Sequence, residues 1–127
     1  MENFMSTVEL TQELTLALSV KDRAKASQWY QTHLGFNEVV SIDEAGWTEM
    51  TTNVPGVTLG LGDTDDVSPG NCVPVFGVKN VAAARKALED VSVKFDGDTM
   101  TVEGMVSLAT FYDPDGNALM IAEDLSS

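Results

Sequence analysis

The sequence is poor in the residues that disulfides and thiol chemistry require. Its 127 residues include one cysteine, Cys72, and one histidine, His33. A single cysteine excludes an intrachain disulfide, which fits a reducing compartment, and we expect a cytoplasmic protein. A cysteine nucleophile needs a histidine beside it, and with only one of each we do not expect thiol catalysis.

Basic residues are scarce as well. Seven lysines and arginines stand against twenty aspartates and glutamates, so this acidic protein has a formal net charge of −13 at pH 7. Binding to nucleic acid depends on basic side chains that neutralise phosphates, and we therefore expect no nucleic-acid partner. The acidic residues are spread over predicted turns, which fits either a solvated surface, such as a saline habitat favours, or a field that steers a cationic ligand.

Long hydrophobic runs are absent too. No apolar stretch approaches the roughly 20 residues needed to span a bilayer, and the N-terminal residues lack the basic-then-apolar pattern of a signal peptide. We therefore expect no membrane partner. A hydrophobic content of 43% over 127 residues is instead typical of one globular domain, which we expect to cover residues 1–127.

What the sequence does contain is a repeated unit. Val20-Lys21-Asp22 recurs as Val78-Lys79-Asn80, 58 positions later, and in both places an apolar run comes before it. Asp22 and Asn80 are good helix caps, and a segment with helical spacing follows each of them. A repeat of this kind predicts two half-sheets that complete one another, with a ligand-binding cleft where they meet.

Each copy of the repeat predicts the element order βαβββ. In the first copy we expect strands at residues 13–18, 36–41, 47–52 and 57–61, with a helix from Asp22 to about His33. In the second copy we expect strands at residues 73–78, 92–95, 106–112 and 118–123, with a helix that starts at Asn80. The two modules then cover residues of about 10–62 and 72–124, and the Gly-, Asp- and Pro-rich residues 63–71 link them.

Three motifs lie in order over nearly the whole chain: Trp29-Tyr30 ahead of Leu34-Gly35-Phe36, then Val78-Lys79-Asn80-Val81, and then the turn Phe111-Tyr112-Asp113-Pro114-Asp115-Gly116-Asn117. Together they resemble the vicinal oxygen chelate superfamily. Its members include glyoxalase-type lyases, ring-cleaving dioxygenases, and bleomycin and fosfomycin resistance proteins. The resemblance implies an α+β fold in which two βαβββ modules form a cup-shaped mixed sheet, with the helices on its outer face.

The resemblance also implies where a metal ion would bind in this fold. Metal ligands of the family lie on cup-facing positions of the first and last strand of each module. The corresponding positions in this sequence are Thr15, Thr58 or Gly60, Val73 and Met120. None of them is a His, Cys, Asp or Glu, the residue types that hold divalent ions. We therefore predict a protein without a metal ion and without another cofactor.

Small and apolar residues at those positions predict a roomy, apolar pocket that binds an organic molecule. Trp47 either packs in the core or stacks on a planar ligand. Glu49 resembles a ligand segment of the glyoxalases, but by strand count it lies on the third strand rather than the fourth. We predict the following ligand-binding residues: Glu13, Thr15, Trp47, Glu49, Val73, Val75 and Met120.

The favoured hypothesis is a small-molecule-binding protein, similar to the resistance proteins that sequester antibiotics, whose ligand is organic and preferably cationic. Two half-open sheets leave an apolar concave face, and family members of this size are commonly dimers, so we also expect a homodimer. One alternative is a lyase, isomerase or dioxygenase that uses Glu49 as a general base or holds a metal ion at non-standard positions. Another is an interaction module without a ligand.

Overall fold

The computed structural model describes residues 6–114, Gly116 and residues 118–126. The chain divides into two compact units. The first unit is Leu14–Pro74, and the second joins residues 6–13 to the described residues from Val75 onward. Each unit contains four paired strands and one α-helix.

The first unit has the order βαβββ. Its elements are β1 (Leu14–Val20), α1 (Arg23–Leu34), β2 (Asn37–Ile42), β3 (Trp47–Thr51) and β4 (Val57–Asp63). The strands lie side by side in the order β2-β3-β4-β1, with β1 parallel to β4 and the other pairs antiparallel. A 3-10 turn at Asp43–Ala45 connects β2 to β3.

The two ends of α1 follow from local chemistry. The Asp22 side chain accepts a hydrogen bond from the Lys25 backbone N–H at 3.1 Å, and this satisfies one of the free donors of the first turn. At the other end, Gly35 has the left-handed conformation (φ 75°) and its N–H donates to the carbonyls of Gln31 and Tyr30. The predicted start and stop of this helix are confirmed.

The core of the first unit lies between α1 and one face of its strands. Met50 and Leu61 are completely buried there, and Leu59 nearly so. Half-buried side chains from β1 and α1 pack around them, and the ring of Tyr30 stacks on Phe36 at a centroid distance of 5.9 Å. Because side chains alternate along a strand, the residues between these leucines lie on the opposite face of β4.

The second unit repeats the same order. Its elements are β5 (Val73–Gly77), which begins in the last two residues of the first unit, α2 (Val81–Asp90), β6 (Phe95–Val102), β7 (Val106–Tyr112) and β8 (Ala118–Asp124). The strands lie in the order β5-β8-β7-β6, with β5 parallel to β8 and the others antiparallel. Val81 and Ala84 of α2 are buried against Val78, Ala109 and Ile121.

The predicted hairpin at the end of the chain is formed by β7 and β8. Tyr112 pairs with Ala118, and the N–H of Gly116 donates to the carbonyl of Asp113 at 3.0 Å. Gly116 has a positive φ of 87°, which explains why this turn uses glycine. Asp115 and Asn117 of the predicted turn lie outside the described residues.

The α+β fold with two βαβββ modules is confirmed, but one predicted strand is wrong. We expected a strand at residues 92–95, and the structure has β6 at Phe95–Val102. β6 is the edge strand in the strand order of its unit, and most of its residues are exposed. Its register with β7 shifts between Asp96 and Met100. Such an edge strand lacks the alternation of apolar and polar residues that reveals a strand in the sequence.

The start of the first strand also differs from the prediction. β1 begins at Leu14, so Glu13 precedes it and belongs to the second unit. Over the described residues, none of the helices has the length and apolar character needed to cross a membrane.

Candidate ligand-binding site

One face of the first unit carries the candidate site. On the face opposite α1, the strand pairing aligns residues of β3, β4 and β1 in three rows: Trp47, Gly62 and Ser19; Glu49, Gly60 and Ala17; Thr51, Thr58 and Thr15. All of these residues except Trp47 and Glu49 have a small side chain or none. This face therefore has room for one aromatic ring and one carboxylate.

The indole of Trp47 lies flat along β4. A Cβ atom at Gly60 would collide with Cζ2 and Cη2 of Trp47, and one at Gly62 would lie 3.6 Å from its Cε3. Both ends of the six-membered ring thus contact glycine backbone, which approaches closely because there is no side chain. Trp47 is half-buried, and its ring packs on β4.

Glu49 is oriented by this same indole. The Trp47 Nε1–H donates to Oε2 of Glu49 at 3.0 Å. Within the described part of the chain, the ion pairs join Arg23, Arg85 and Lys86 to other carboxylates, and nothing else bonds to Glu49. A half-buried carboxylate without a countercharge favours the approach of a cation.

The third row contains a pair of hydroxyl groups. Thr15 Oγ1 and Thr58 Oγ1 are 2.8 Å apart across β1 and β4, and either atom can be the donor. These are two of the positions at which the family resemblance places metal ligands. Here the two hydroxyl groups hydrogen-bond to one another.

Arg23, which the sequence did not single out, fixes the backbone below Trp47. Its Nη1 donates to the Trp47 carbonyl at 3.1 Å and to Thr48 Oγ1 at 2.9 Å, on the side of the sheet that faces α1. Its Nε donates to Asp63 at 2.8 Å and its Nη2 to Asp43 at 3.2 Å, and its side chain is 13% exposed. The hydrogen bond to Asp63 raises the pKa of Arg23, so this guanidinium stays charged.

A polar groove of about 710 Å³ lies around Arg23 at the start of α1. Its lining includes Asp43, Asp63 and Thr48 but neither Trp47 nor Glu49. Because the Arg23 donors are already bonded to these neighbours, we do not place the ligand in this groove. The face with Trp47 instead offers a half-buried indole and a carboxylate that has no ion-pair partner among the described residues.

The other predicted site residues belong to β5, to β8 and to the segment before β1. Val75 of β5 pairs with Met120 of β8 in the second unit, and both are half-buried. Val73 is half-buried at the start of β5, and the Glu13 carbonyl accepts from the Gly77 N–H at 3.4 Å. The structure thus gathers Thr15, Trp47 and Glu49 on one face of the first unit, whereas Glu13, Val75 and Met120 belong to the second.

In the second unit, residues that precede β1 cover Gly77, a glycine of β5. A Cβ atom at Gly77 would collide with Oγ1 of Thr11 and would lie 3.7 Å from Oε1 of Glu13. The Thr11 N–H donates to the Gly77 carbonyl at 2.9 Å, while its hydroxyl is buried without a hydrogen-bond partner in the described structure. Thr11 and Glu13 therefore occupy the space that Gly77 leaves free.

A divalent metal ion does not fit the positions that the resemblance implies. Thr15 and Thr58 offer only neutral hydroxyl groups that are bonded to each other, and Val73 and Met120 have no hard donor atom. For residues 6–114, 116 and 118–126, no group of three His, Cys, Asp or Glu side chains is arranged to hold a metal ion.

Two further features of the site were not predicted from the sequence. The alternation Leu59-Gly60-Leu61-Gly62 places leucines toward α1 and glycines on the other face, a pattern that makes room for a ring. On β2, Val40 pairs with Glu49 and Ile42 with Trp47, so an apolar edge borders the carboxylate and the indole. The Leu-Gly alternation is visible in the sequence and could have predicted the glycines on which Trp47 packs.

Comparison with known proteins identifies the family of this fold. Residues 14–121 match the model of the Glyoxalase/Bleomycin resistance protein/Dioxygenase superfamily. Because this match covers most of the chain, the protein belongs to that superfamily. No curated protein matches the sequence.

Solved structures show the same fold at low sequence identity. The methylmalonyl-CoA epimerase from Mycobacterium tuberculosis is 17% identical, with a TM-score of 0.71, over 95% of this chain and 93% of that one. The Streptomyces coelicolor methylmalonyl-CoA epimerase in complex with 2-nitronate-propionyl-CoA is 16% identical, with a TM-score of 0.67, over 91% and 99%. A superfamily member from Vibrio splendidus 12B01 is 14% identical, with a TM-score of 0.65, over 88% and 98%. At these identities the likeness describes the fold alone.

Proposed function

We propose that the protein binds and sequesters a planar, cationic organic molecule on the face of the first unit opposite α1, without a metal ion. The observation that carries this proposal is the pair formed by Trp47 and Glu49. The half-buried indole lies on Gly60, and its N–H holds a carboxylate that has no cationic partner among the described residues.

The two side chains suit one ligand chemistry. An aromatic ring packs against the indole of Trp47, and a cationic group at the ring's edge reaches the second oxygen of Glu49. A planar cation with two N–H donors, such as an amidinium, matches the geometry of a carboxylate especially well. The net charge of −13 also favours the approach of cations over anions.

A matched pair of probes tests this proposal. 4-Methylbenzamidine is a planar cation, and 4-methylbenzamide is its neutral isostere. In a Trp29→Phe background, where Trp47 is the single tryptophan, we expect the amidine to shift Trp47 fluorescence and the amide to bind at least tenfold more weakly. Glu49→Gln should abolish this difference.

Glu44→Gln provides the control, because it removes the same charge from the exposed 3-10 turn of the same unit. It should leave the preference for the amidine intact. If both variants weaken amidine binding equally, the overall field rather than Glu49 attracts the cation. If neither probe shifts Trp47 fluorescence, the proposed site is wrong.

A second candidate function follows from the same contact. A carboxylate held at 3.0 Å by an indole N–H is positioned as a general base, as an isomerase, lyase or dioxygenase of this superfamily would need. Because structural neighbours include methylmalonyl-CoA epimerases, the first substrate to test is methylmalonyl-CoA. Deuterium uptake from D₂O that Glu49→Gln abolishes would favour an enzyme, and no uptake would favour the binding protein.

We also propose that the protein forms a homodimer. On the first unit, Trp29, Leu34 and Val39 are each more than half exposed, an unusual exposure for large apolar side chains. Sedimentation velocity should show a dimer at micromolar concentration, and Trp29→Glu should shift it toward monomer. A monomer at all concentrations would contradict this proposal without affecting the ligand site.

A further inference from the structure

The hydroxyl pair Thr15–Thr58 lies on the same face as Trp47 and Glu49. Thr58 precedes Gly60 by two residues in β4, and Gly60 pairs with Glu49. Two residues of a strand span about 7 Å, and their side chains point to the same side. The hydroxyl pair is therefore about 7 Å along the strand from the row that holds the carboxylate.

This pair keeps hydrogen-bonding capacity that the protein does not use. Two hydroxyl groups carry two O–H donors, and their mutual hydrogen bond occupies only one of them. In the described structure neither hydroxyl has another hydrogen-bond partner, although both residues are half-buried. The pair can thus donate one hydrogen bond and accept others from a molecule that covers this face.

We infer that the Thr15–Thr58 pair is the second polar contact of the ligand. The ligand class is then a rigid aromatic cation that carries a hydroxyl or carbonyl oxygen about 7 Å from its cationic nitrogen. The cation pairs with Glu49 and the oxygen reaches the two threonines, so the ring lies between these two rows, against the edge of the Trp47 indole that reaches Gly60. This inference rests on the proposed function, because it assigns the far end of the ligand that Glu49 anchors.

Two amidines that differ in one group test the inference. 4-Hydroxybenzamidine carries an oxygen at the end opposite its cation, and 4-methylbenzamidine replaces that oxygen with a methyl group of similar size. Titrations that follow the Trp47 Nε1–H resonance by NMR, assigned with Trp29→Phe, give both affinities. The parent should prefer the hydroxyl compound by about threefold to tenfold, the value of one ordinary hydrogen bond.

The double variant Thr15→Val/Thr58→Val removes both hydroxyls and keeps the shape of the side chains, whereas a single variant would leave the remaining hydroxyl free to bond the ligand. The double variant should reduce the preference to about one, while the affinity for 4-methylbenzamidine stays unchanged. Thr58→Ser keeps the hydroxyl and should keep the preference. These two variants separate recognition from folding, since a purely structural role would weaken both compounds together.

The second unit offers a matched control. Thr101 Oγ1 and Ser107 Oγ form a similar cross-strand pair at 3.0 Å between β6 and β7. Ser107 precedes the buried Ala109 by two residues and so lies on the side of β7 that faces α2. Thr101→Val should therefore leave the preference for 4-hydroxybenzamidine unchanged.

The outcomes distinguish this inference from the proposed function. If the parent binds both amidines equally, or if the double variant Thr15→Val/Thr58→Val keeps the preference, the hydroxyl pair is not a ligand contact, and the site at Glu49 stands. If neither amidine binds, both proposals fall. Loss of the preference in Thr101→Val as well would show a general structural effect and would also overturn the inference.

Discussion

The two units are copies of one module, yet they use the face opposite their helices differently. In the first unit, Gly60 lies under the indole of Trp47, which comes from the neighbouring strand of the same module. In the second unit, Gly77 lies under Thr11 and Glu13, which come from residues ahead of the first module. On the face opposite the helix, an aromatic ring thus covers a glycine of the last strand in one unit, and the chain's own N-terminal residues cover a glycine of the first strand in the other.

This difference shows that a repeated fold does not repeat the side chains on that face. The first unit presents a half-buried indole, a carboxylate without an ion-pair partner among the described residues and a hydroxyl pair with a free donor. The second unit presents the apolar pair Val75 and Met120, and the nearby Thr11 hydroxyl is buried without a partner. Function follows from the side chains that each module carries rather than from the module itself.

The largest expected effect concerns ligand binding by the first unit. If Glu49 pairs with a cation, Glu49→Gln should weaken binding of a cationic ligand by roughly 2–5 kcal/mol, much of it because the partner charge is left unpaired. Trp47→Ala should cost a comparable amount, since it removes both the stacking surface and the N–H that orients the carboxylate. Calorimetric titration with 4-methylbenzamidine measures both values.

The proposed difference in ligand binding between the two units would be wrong if the second unit bound the cation. Met120→Ala in the second unit is therefore the matched variant, and it should leave the affinity unchanged. A loss on Met120→Ala as large as that on Trp47→Ala would show that the binding capacity is not confined to the first unit's face.

Substitution of the two glycines sharpens the comparison through stability. Gly60→Ala places a Cβ atom against the rigid ring of Trp47 and should lower the free energy of unfolding by about 1–3 kcal/mol, as overpacking does. Gly77→Ala meets mainly the Thr11 hydroxyl, the end of a small side chain that can rotate, so we expect a smaller loss. Urea denaturation of both variants measures the difference, and an equal or larger loss for Gly77→Ala would contradict it.

The two threonine hydroxyls provide a comparison with opposite signs. Thr11→Val removes a buried hydroxyl that has no hydrogen-bond partner among the described residues, so we expect the protein to gain about 1 kcal/mol in unfolding free energy. Thr15→Val removes one member of a hydrogen-bonded pair and should cost about 1 kcal/mol. Thermal unfolding of the two isosteric variants tests the signs, and a destabilised Thr11→Val would indicate that its hydroxyl has a partner.

Much of the fold could be predicted because local chemistry and distant packing agree. Asp22 and Asn80 cap their helices, and the leucines of β4 alternate with glycines as a strand with one buried face requires. β6 could not be predicted, because an exposed edge strand with a shifted register has no core-facing period. The short-range rules worked where each residue's preference matched its position in the core.

The candidate site could be predicted only in part. Trp47 and Glu49 were predicted to bind a ligand, which stays a prediction, but the sequence left open whether Trp47 belongs to the core, and it did not show their hydrogen bond. Arg23 was missed, because its bonds to Asp63 and Trp47 join positions far apart in the chain. The place of Glu13 was also missed, since a residue next to β1 in sequence groups with the second unit in space. Such long-range contacts depend on the strand order rather than on local residue patterns.

The smallest expected effect, no change at all, concerns metal removal. In the first unit the implied ligand positions hold the Thr15–Thr58 hydroxyl pair, and in the second unit Met120 pairs with Val75, so neither unit supplies charged or imidazole donors there. We predict that the purified protein contains no stoichiometric zinc, iron, manganese or nickel, and that a chelator leaves its melting temperature unchanged. A tightly bound metal ion stabilises the folded state by mass action, so its removal would lower that temperature. The prediction is wrong if elemental analysis finds one equivalent of metal per chain and a chelator removes both the metal and the stability. Donors at other positions would then hold an ion, as in the enzyme alternative with a metal ion at non-standard positions.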